Sequence, residues 1–243
     1  MTGKTFLLRN LPADLYLDLL DPELELRFKQ SPRLFWEQIS VLKAKALIVV
    51  DEVQRVPTLL DYVQKGIEEK GLIFILSGSS ARKLRRGGAN LLGGRAKDLK
   101  LHPLMAEEIG VRFDVKKACQ YGTLPKVADR VLAGDDDEAK SLLRSYVTTY
   151  VKEEIQAEAL TRNVGAFQRF LQVAIQGNAQ VMEFANISRE CAVPSSTVKE
   201  YYSILEDTLL GDFLWPWDRS ERKRRAPSFI FLTAEWSALR RIA

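Results

Sequence analysis

Hydrophobic residues recur along this chain in two rhythms, and the change between them divides it. In the first part the strongest signal is Ala46–Gln54, ALIVVDEVQ, where five apolar residues run without alternation into two adjacent carboxylates. An unbroken, β-branched run of that length predicts a strand covered on both faces, central in a parallel sheet. Leu72–Ser80, LIFILSGSS, predicts a second buried strand that ends in a polar cluster on the same sheet edge. Leu15, Leu17 and Leu19 alternate with Tyr16 and Asp18, as in a strand nearer an edge. Lys97, Leu99 and Leu101 alternate less cleanly and predict a last strand. Helices are expected between these strands. One opens at Gly3-Lys4-Thr5, one runs from Asp21-Pro22 to Lys29, and one, capped by Ser31-Pro32, carries Leu34, Phe35, Trp36 and Ile39. Another opens at Pro57 and stops at Gly71, and a further one starts at Ala81. Strands alternating with helices predict an α/β fold.

The second part keeps a helical period. Leu142, Leu143, Tyr146, Val147, Tyr150 and Val151 form one stripe, and Phe167, Phe170, Leu171 and Ala174 form the next. YGTLP predicts a turn around Gly122 and Pro125, and the acids of Gly134–Lys140 suit a linker or a helix start. Phe184–Leu210 reads as helix, turn at Pro194-Ser195-Ser196, and longer helix, with FLWPW and FIFL as a wing. The expected organisation is an α/β domain at 1–110, a mainly helical, winged-helix-like domain at 111–228, and an aberrant tail at 229–243.

The candidate chemistry lies in the first part. In open α/β sheets ligands sit beyond the carboxyl ends of the strands, where Asp51 and Glu52 emerge. Two carboxylates there call for a cationic companion. Gly3, Lys4 and Thr5 form the back half of a phosphate-binding loop, G-x-x-x-x-G-K-[ST]. Glycine lets backbone N–H groups close on phosphate oxygens, Lys4 reaches the β- and γ-phosphates, and the Thr5 hydroxyl ligates Mg²⁺. Asp51 then holds the metal's water shell, while Glu52 orients and deprotonates the attacking water. GKT alone is common by chance, and acidic pairs abound in turns; their order and separation carry the reading. At the end of the other buried strand, Ser79 is the first candidate to sense the γ-phosphate, with Ser77 next. The alternative is that Ser-Gly-Ser-Ser is only a turn and helix cap. Arg95, on a glycine-flanked loop, is a candidate finger on a neighbouring subunit's nucleotide, or an exposed arginine.

Composition narrows the picture only slightly. A net charge of +4 and a pI near 9.0 permit nucleic-acid contact without requiring it. Cys119 and Cys191 belong to no metal-spaced pair and read as reduced, buried thiols of a cytoplasmic protein. His102, before Pro103 at a strand end, reads as structural. No apolar run reaches membrane-spanning length. At its start the longer helix of the helix-turn-helix offers Ser195, Ser196, Thr197 and Lys199, but it also carries Glu200, Glu206 and Asp207. Packing or partner binding is therefore favoured over DNA reading. The densest positive run, Arg219–Pro227, suits nucleic acid, an acidic partner, or a solvated hairpin tip.

In this order, MTGKTFLLR, ALIVVDEVQRVPTLL, FILSGSSARKL and GGRAKDLKLHPLMAEEI resemble the AAA-type P-loop ATPases of bacteria and archaea. More narrowly, they resemble the group whose ATPase domain precedes a C-terminal domain of unknown function. The likeness continues through YGTLPKV, SYVTTYVKEEIQAEALTRNVGAFQRFL and STVKEYYSILEDTLL. It implies Lys4 and Thr5 as Walker A residues, Asp51 and Glu52 as Walker B, a sensor serine, and ATP rather than GTP; a homo-oligomer is an expectation only through the finger reading of Arg95. Against that family the chain begins inside the Walker A loop and ends abruptly in SFIFLTAEWSALRRIA. The expectation is a P-loop sheet lacking its first strand, with a slot between the sensor strand and the last strand and an impaired activity. The rival expectation is a non-hydrolysing winged-helix module that contacts DNA or a protein.

Overall fold

The computed structural model describes residues 3–78, 96–97, 99–146, 164–208, 210–217 and 226–231, and it divides into two compact units, Gly3–Leu101 and the part from His102 onward. Among the described residues no helix is long and apolar enough to cross a membrane.

The first unit begins with helix α1 (Lys4–Arg9) and strand β1 (Leu15–Asp18). Helices α2 (Pro22–Gln30) and α3 (Arg33–Ser40) lead to β2 (Leu47–Asp51), and α4 (Leu59–Lys70) leads to β3 (Ile73–Leu76). The strands are parallel in the order β1-β2-β3, with Leu17 beside Val50 and Val50 beside Leu76. Local chemistry starts and stops the helices. The Asp21 carboxylate caps α2 by accepting from the Glu23 N–H at 2.9 Å, and Pro22 occupies its first turn. Gly71, at φ 62°, ends α4 in the left-handed region.

Right-handed crossovers that step in one direction across a sheet put their helices on one face. The core shows this. Leu17, Leu19, Ile48 and Val50 pack with Phe28 of α2, Phe35 and Ile39 of α3, and Leu59, Leu60 and Val63 of α4. The opposite parity carries Tyr16, Asp18, Val49 and Asp51, and there α1 packs on β2. Side chains alternate faces along a strand, so the sequence writes both faces at once.

Two expectations need correction. β3 is not a buried strand: Ile73 is 50% exposed and Phe74, Ile75 and Leu76 are half-buried. Among the described residues β3 pairs only with β2, and a strand covered along one edge keeps accessible surface along the other. Nor is a last strand seen among the described residues. Lys97 and Leu99–Leu101 take no strand structure, and Leu99 is 79% exposed. A strand exists only where a neighbour takes its backbone groups, and none does here among the described residues.

The second unit is helical: α5 (Ala106–Ile109), α6 (Val115–Tyr121), α7 (Pro125–Leu132), α8 (Asp136–Ser145), α9 (Val164–Gln176), α10 (Phe184–Cys191) and α11 (Ser195–Asp207). The Asp135 side chain accepts from the Glu138 N–H at 3.1 Å, so the acidic run is a helix start rather than a linker. The antiparallel strands β4 (Gly211–Leu214) and β5 (Ser228–Phe231) follow α11, and Val181 forms a bridge to Ser228. The core is aromatic, with Tyr202 of α11 meeting Phe170 and Phe229 at ring-centroid distances of 4.8 Å each. Burial pushes the Tyr202 hydroxyl far above the ordinary phenol range. Cys191 is buried as expected, but Cys119 is exposed on α6, because the helix turns it away from the Tyr121 side that enters the core. His102 is exposed and follows no strand. Residues Val147, Tyr150 and Val151, the run 218–225 and the stretch 232–243 lie outside the described residues.

Candidate functional site

The site is built at the carboxyl ends of the three strands. Pairing places Asp18 of β1 beside Asp51 of β2. Past β3 the backbone continues the same ladder. Ser77 donates its N–H to the Val50 carbonyl at 2.9 Å, and its own carbonyl accepts from Val53 at 2.9 Å. Gly3 turns the chain into α1 at φ 87°, a conformation that glycine adopts without strain, and the residues after it are brought over this edge.

Asp51 is fully buried, yet its partners among the described residues are hydroxyl groups rather than cations. One carboxylate oxygen accepts from Thr5 Oγ1 at 2.8 Å and from the Tyr16 hydroxyl at 3.0 Å, and the other accepts from Ser77 Oγ. Hydrogen bonds to an ionised acceptor are about twice as strong as neutral ones, so three of them offset much of the burial penalty. Lys4 donates its ammonium to the Gly78 carbonyl at 2.6 Å. Lys4, Thr5, Asp51, Ser77 and Gly78, separated by up to 74 residues in the chain, therefore sit at one sheet edge.

Glu52 is placed differently. It is a non-glycine residue at φ 59°, in the left-handed region, and its carboxylate accepts from the Gln54 amide of the next turn. It is half-buried and belongs to no hydrogen bond of the Asp51 cluster. Ser79 and Arg95 lie outside the described residues.

Tyr16 is the member that sequence reasoning misses. Burial raises its hydroxyl above the ordinary phenol value, so it stays protonated and donating at neutral pH; the Arg9 guanidinium, which also contacts it, opposes that shift. Arg9 in turn pairs with Asp18 at 2.9 Å. The available signal is parity: Tyr16 alternates with Leu15 and Leu17, so it shares a face with Asp18. Sequence does not supply the register that then sets Asp51 beside them.

The donor set suits a hard cation. Thr5 Oγ1 and the Asp51 carboxylate are oxygen donors 2.8 Å apart, and neither a thiol nor an imidazole joins them. Among the described residues there is no group of three or more His, Cys, Asp or Glu side chains able to cage a metal. A cation held here would complete its shell with water and ligand oxygens, as Mg²⁺ habitually does.

Comparison with known proteins follows the same division. Residues 1–110 match a family model described as an AAA domain, and residues 112–231 match one described as a domain of unknown function. Comparison with curated proteins gives no match. Among solved structures, the Aeropyrum pernix Orc1 protein in complex with DNA is similar at 15% identity and a TM-score of 0.35, over 99% of this chain and 84% of that one. A likeness at that score carries no functional argument.

Proposed function

We propose that this chain, an AAA domain followed by a helical domain of unknown function, binds MgATP and hydrolyses it to switch an interaction with a partner. One observation carries the reading: the Thr5 hydroxyl meets the Asp51 carboxylate across 46 residues of sequence, with Lys4 anchored at the end of the adjoining strand. On binding, Lys4 exchanges the Gly78 carbonyl for β- and γ-phosphate oxygens. Thr5 and Asp51 would hold Mg²⁺, and the chemistry that ion would supply there is neutralisation of charge on the transferred phosphoryl group. Glu52 turns from Gln54 to orient the attacking water and take its proton. Ser79, or Ser77 through its link to Asp51, contacts the γ-phosphate, and Arg95 reaches the nucleotide of a second copy in a homo-oligomer. The setting is cytoplasmic.

A second reading, that of a non-hydrolysing module, is favoured by the Glu52–Gln54 hydrogen bond, because the carboxylate needed as a base is already engaged. The output element in either case is the pair α10 and α11 with the β4–β5 hairpin, a winged-helix-like arrangement. Its longer helix buries Val198, Tyr201, Tyr202, Ile204 and Leu205, which supports packing or a protein partner ahead of DNA. Calorimetric titration with MgATP, paired with phosphate-release kinetics, tests both. The expected outcome is binding that Lys4→Ala abolishes, and turnover that Glu52→Gln lowers about 10²- to 10⁴-fold while binding persists. Binding without turnover selects the module; no binding refutes both nucleotide roles.

A further inference from the structure

We propose that Tyr16 is a positioning residue for Asp51, holding the carboxylate in place when the Thr5 hydroxyl leaves it for a metal ion. The proposal rests on the MgATP reading above and adds a residue that none of the loop or acidic motifs contains. Its basis is the division of donors between the two oxygens of Asp51. Thr5 and Tyr16 share one carboxylate oxygen at 2.8 and 3.0 Å, while Ser77 holds the other. A hydroxyl that moves to a cation can no longer serve the carboxylate. With Thr5 gone, Ser77 alone fixes one oxygen and leaves the carboxylate free to swing about that contact. Tyr16, in register on the neighbouring strand, supplies the second fixed point. Two donors on two oxygens define the plane of the group; one does not.

Tyr16 is itself held. Arg9, in the last turn of α1, contacts its hydroxyl and pairs with Asp18 at 2.9 Å. The positive charge of Arg9 beside the phenol polarises its O–H and strengthens the bond given to Asp51. The helix whose first turn carries Lys4 and Thr5 is thus tied at its last turn to the residue that steadies their acidic partner. Outer partners of this kind typically govern metal affinity about 10- to 100-fold when removed.

The test is binding of a fluorescent ATP analogue by the full chain, with Mg²⁺ titrated from zero under EDTA control. Tyr16→Phe removes only the hydroxyl. The expected result is nucleotide affinity within about twofold of the unaltered chain without Mg²⁺, and a roughly tenfold higher Mg²⁺ concentration for half-maximal tightening. An unchanged Mg²⁺ midpoint, or equal losses with and without Mg²⁺, overturns the proposal, since a merely structural role would weaken both. Arg9→Gln, at an exposed position, covers the case in which Tyr16→Phe does not fold: it is expected to shift the same midpoint about twofold, and no shift counts against the proposal. If the unaltered chain shows no Mg²⁺-dependent binding at all, the MgATP reading falls first and this one with it.

Discussion

Glu25 shows how a single side chain ties the site's acidic turn to the rest of the unit. It accepts from Lys29 within α2 and from Arg55, just beyond Glu52, each at 2.6 Å. The Lys29 ammonium, with Arg55 behind it, holds the carboxyl below the ordinary glutamate range, against a smaller opposing effect of burial. A carboxyl depressed in the folded state contributes stability that is full above its unfolded value, near 4.3, and fades as pH falls through the lower folded value. Glu25→Gln is therefore expected to lower stability by about 0.5 kcal/mol at pH 7, because both cations are substantially exposed, and to leave it unchanged well below pH 4. Thermal melts from pH 7 to pH 3 check the convergence. At this scale the sequence is uneven. Lys4, Thr5 and Asp51 can be read as one cluster because residue type at the end of an apolar run marks them. Tyr16 cannot, since a tyrosine in an alternating strand looks the same whether it faces solvent or a carboxylate.

Among elements, the β4–β5 hairpin has the least room to spare. A Cβ built on Gly211 would lie 2.2 Å from Phe229 Cε1 and 2.8 Å from the Ile230 carbonyl. Phe229 cannot retreat, for its ring contacts Tyr202 at 4.8 Å, Phe213 at 5.2 Å and Phe231 at 5.3 Å. Gly211→Ala is expected to cost about 3 kcal/mol through overpacking, read from the denaturant midpoint of the helical unit. Element type is well written in the sequence wherever a period or a cap is strong: Asp21-Pro22 for α2, the β-branched run for β2, Gly71 for the end of α4. It is poorly written for 97–101, where two lysines among leucines look like alternation. That segment finds no partner strand among the described residues, and pairing is a property of two segments.

At the scale of the molecule, the two apolar clusters share no residue among the described ones: one spans Leu17 to Leu72 and the other Tyr121 to Phe231. Separate cores predict separate transitions in a calorimetric melt. If MgATP binds as proposed, only the transition of the unit containing Asp51 should move. Ligand at about a hundred times Kd adds ~2.7 kcal/mol, which raises a domain of this size by about 10 °C or more. Tyr202→Ala should lower the other transition alone, by ~4 kcal/mol in stability. A single transition shifted by both changes would refute the separation. The change of hydrophobic rhythm along the chain already announces two bodies, because each rhythm belongs to one kind of core.

The parity of the parallel sheet carries one more consequence, for how the chain tolerates insertions and deletions. Apolar residues and site residues are interleaved on the same short strands, Leu17 between Tyr16 and Asp18, Val50 between Val49 and Asp51. A residue gained or lost inside β1 or β2 would not merely lengthen or shorten an edge. It would send leucines to the carboxylate and acids into the oil, so that chemistry and cohesion fail in one stroke. The connecting helices have no such constraint, and variation in length is expected to collect there.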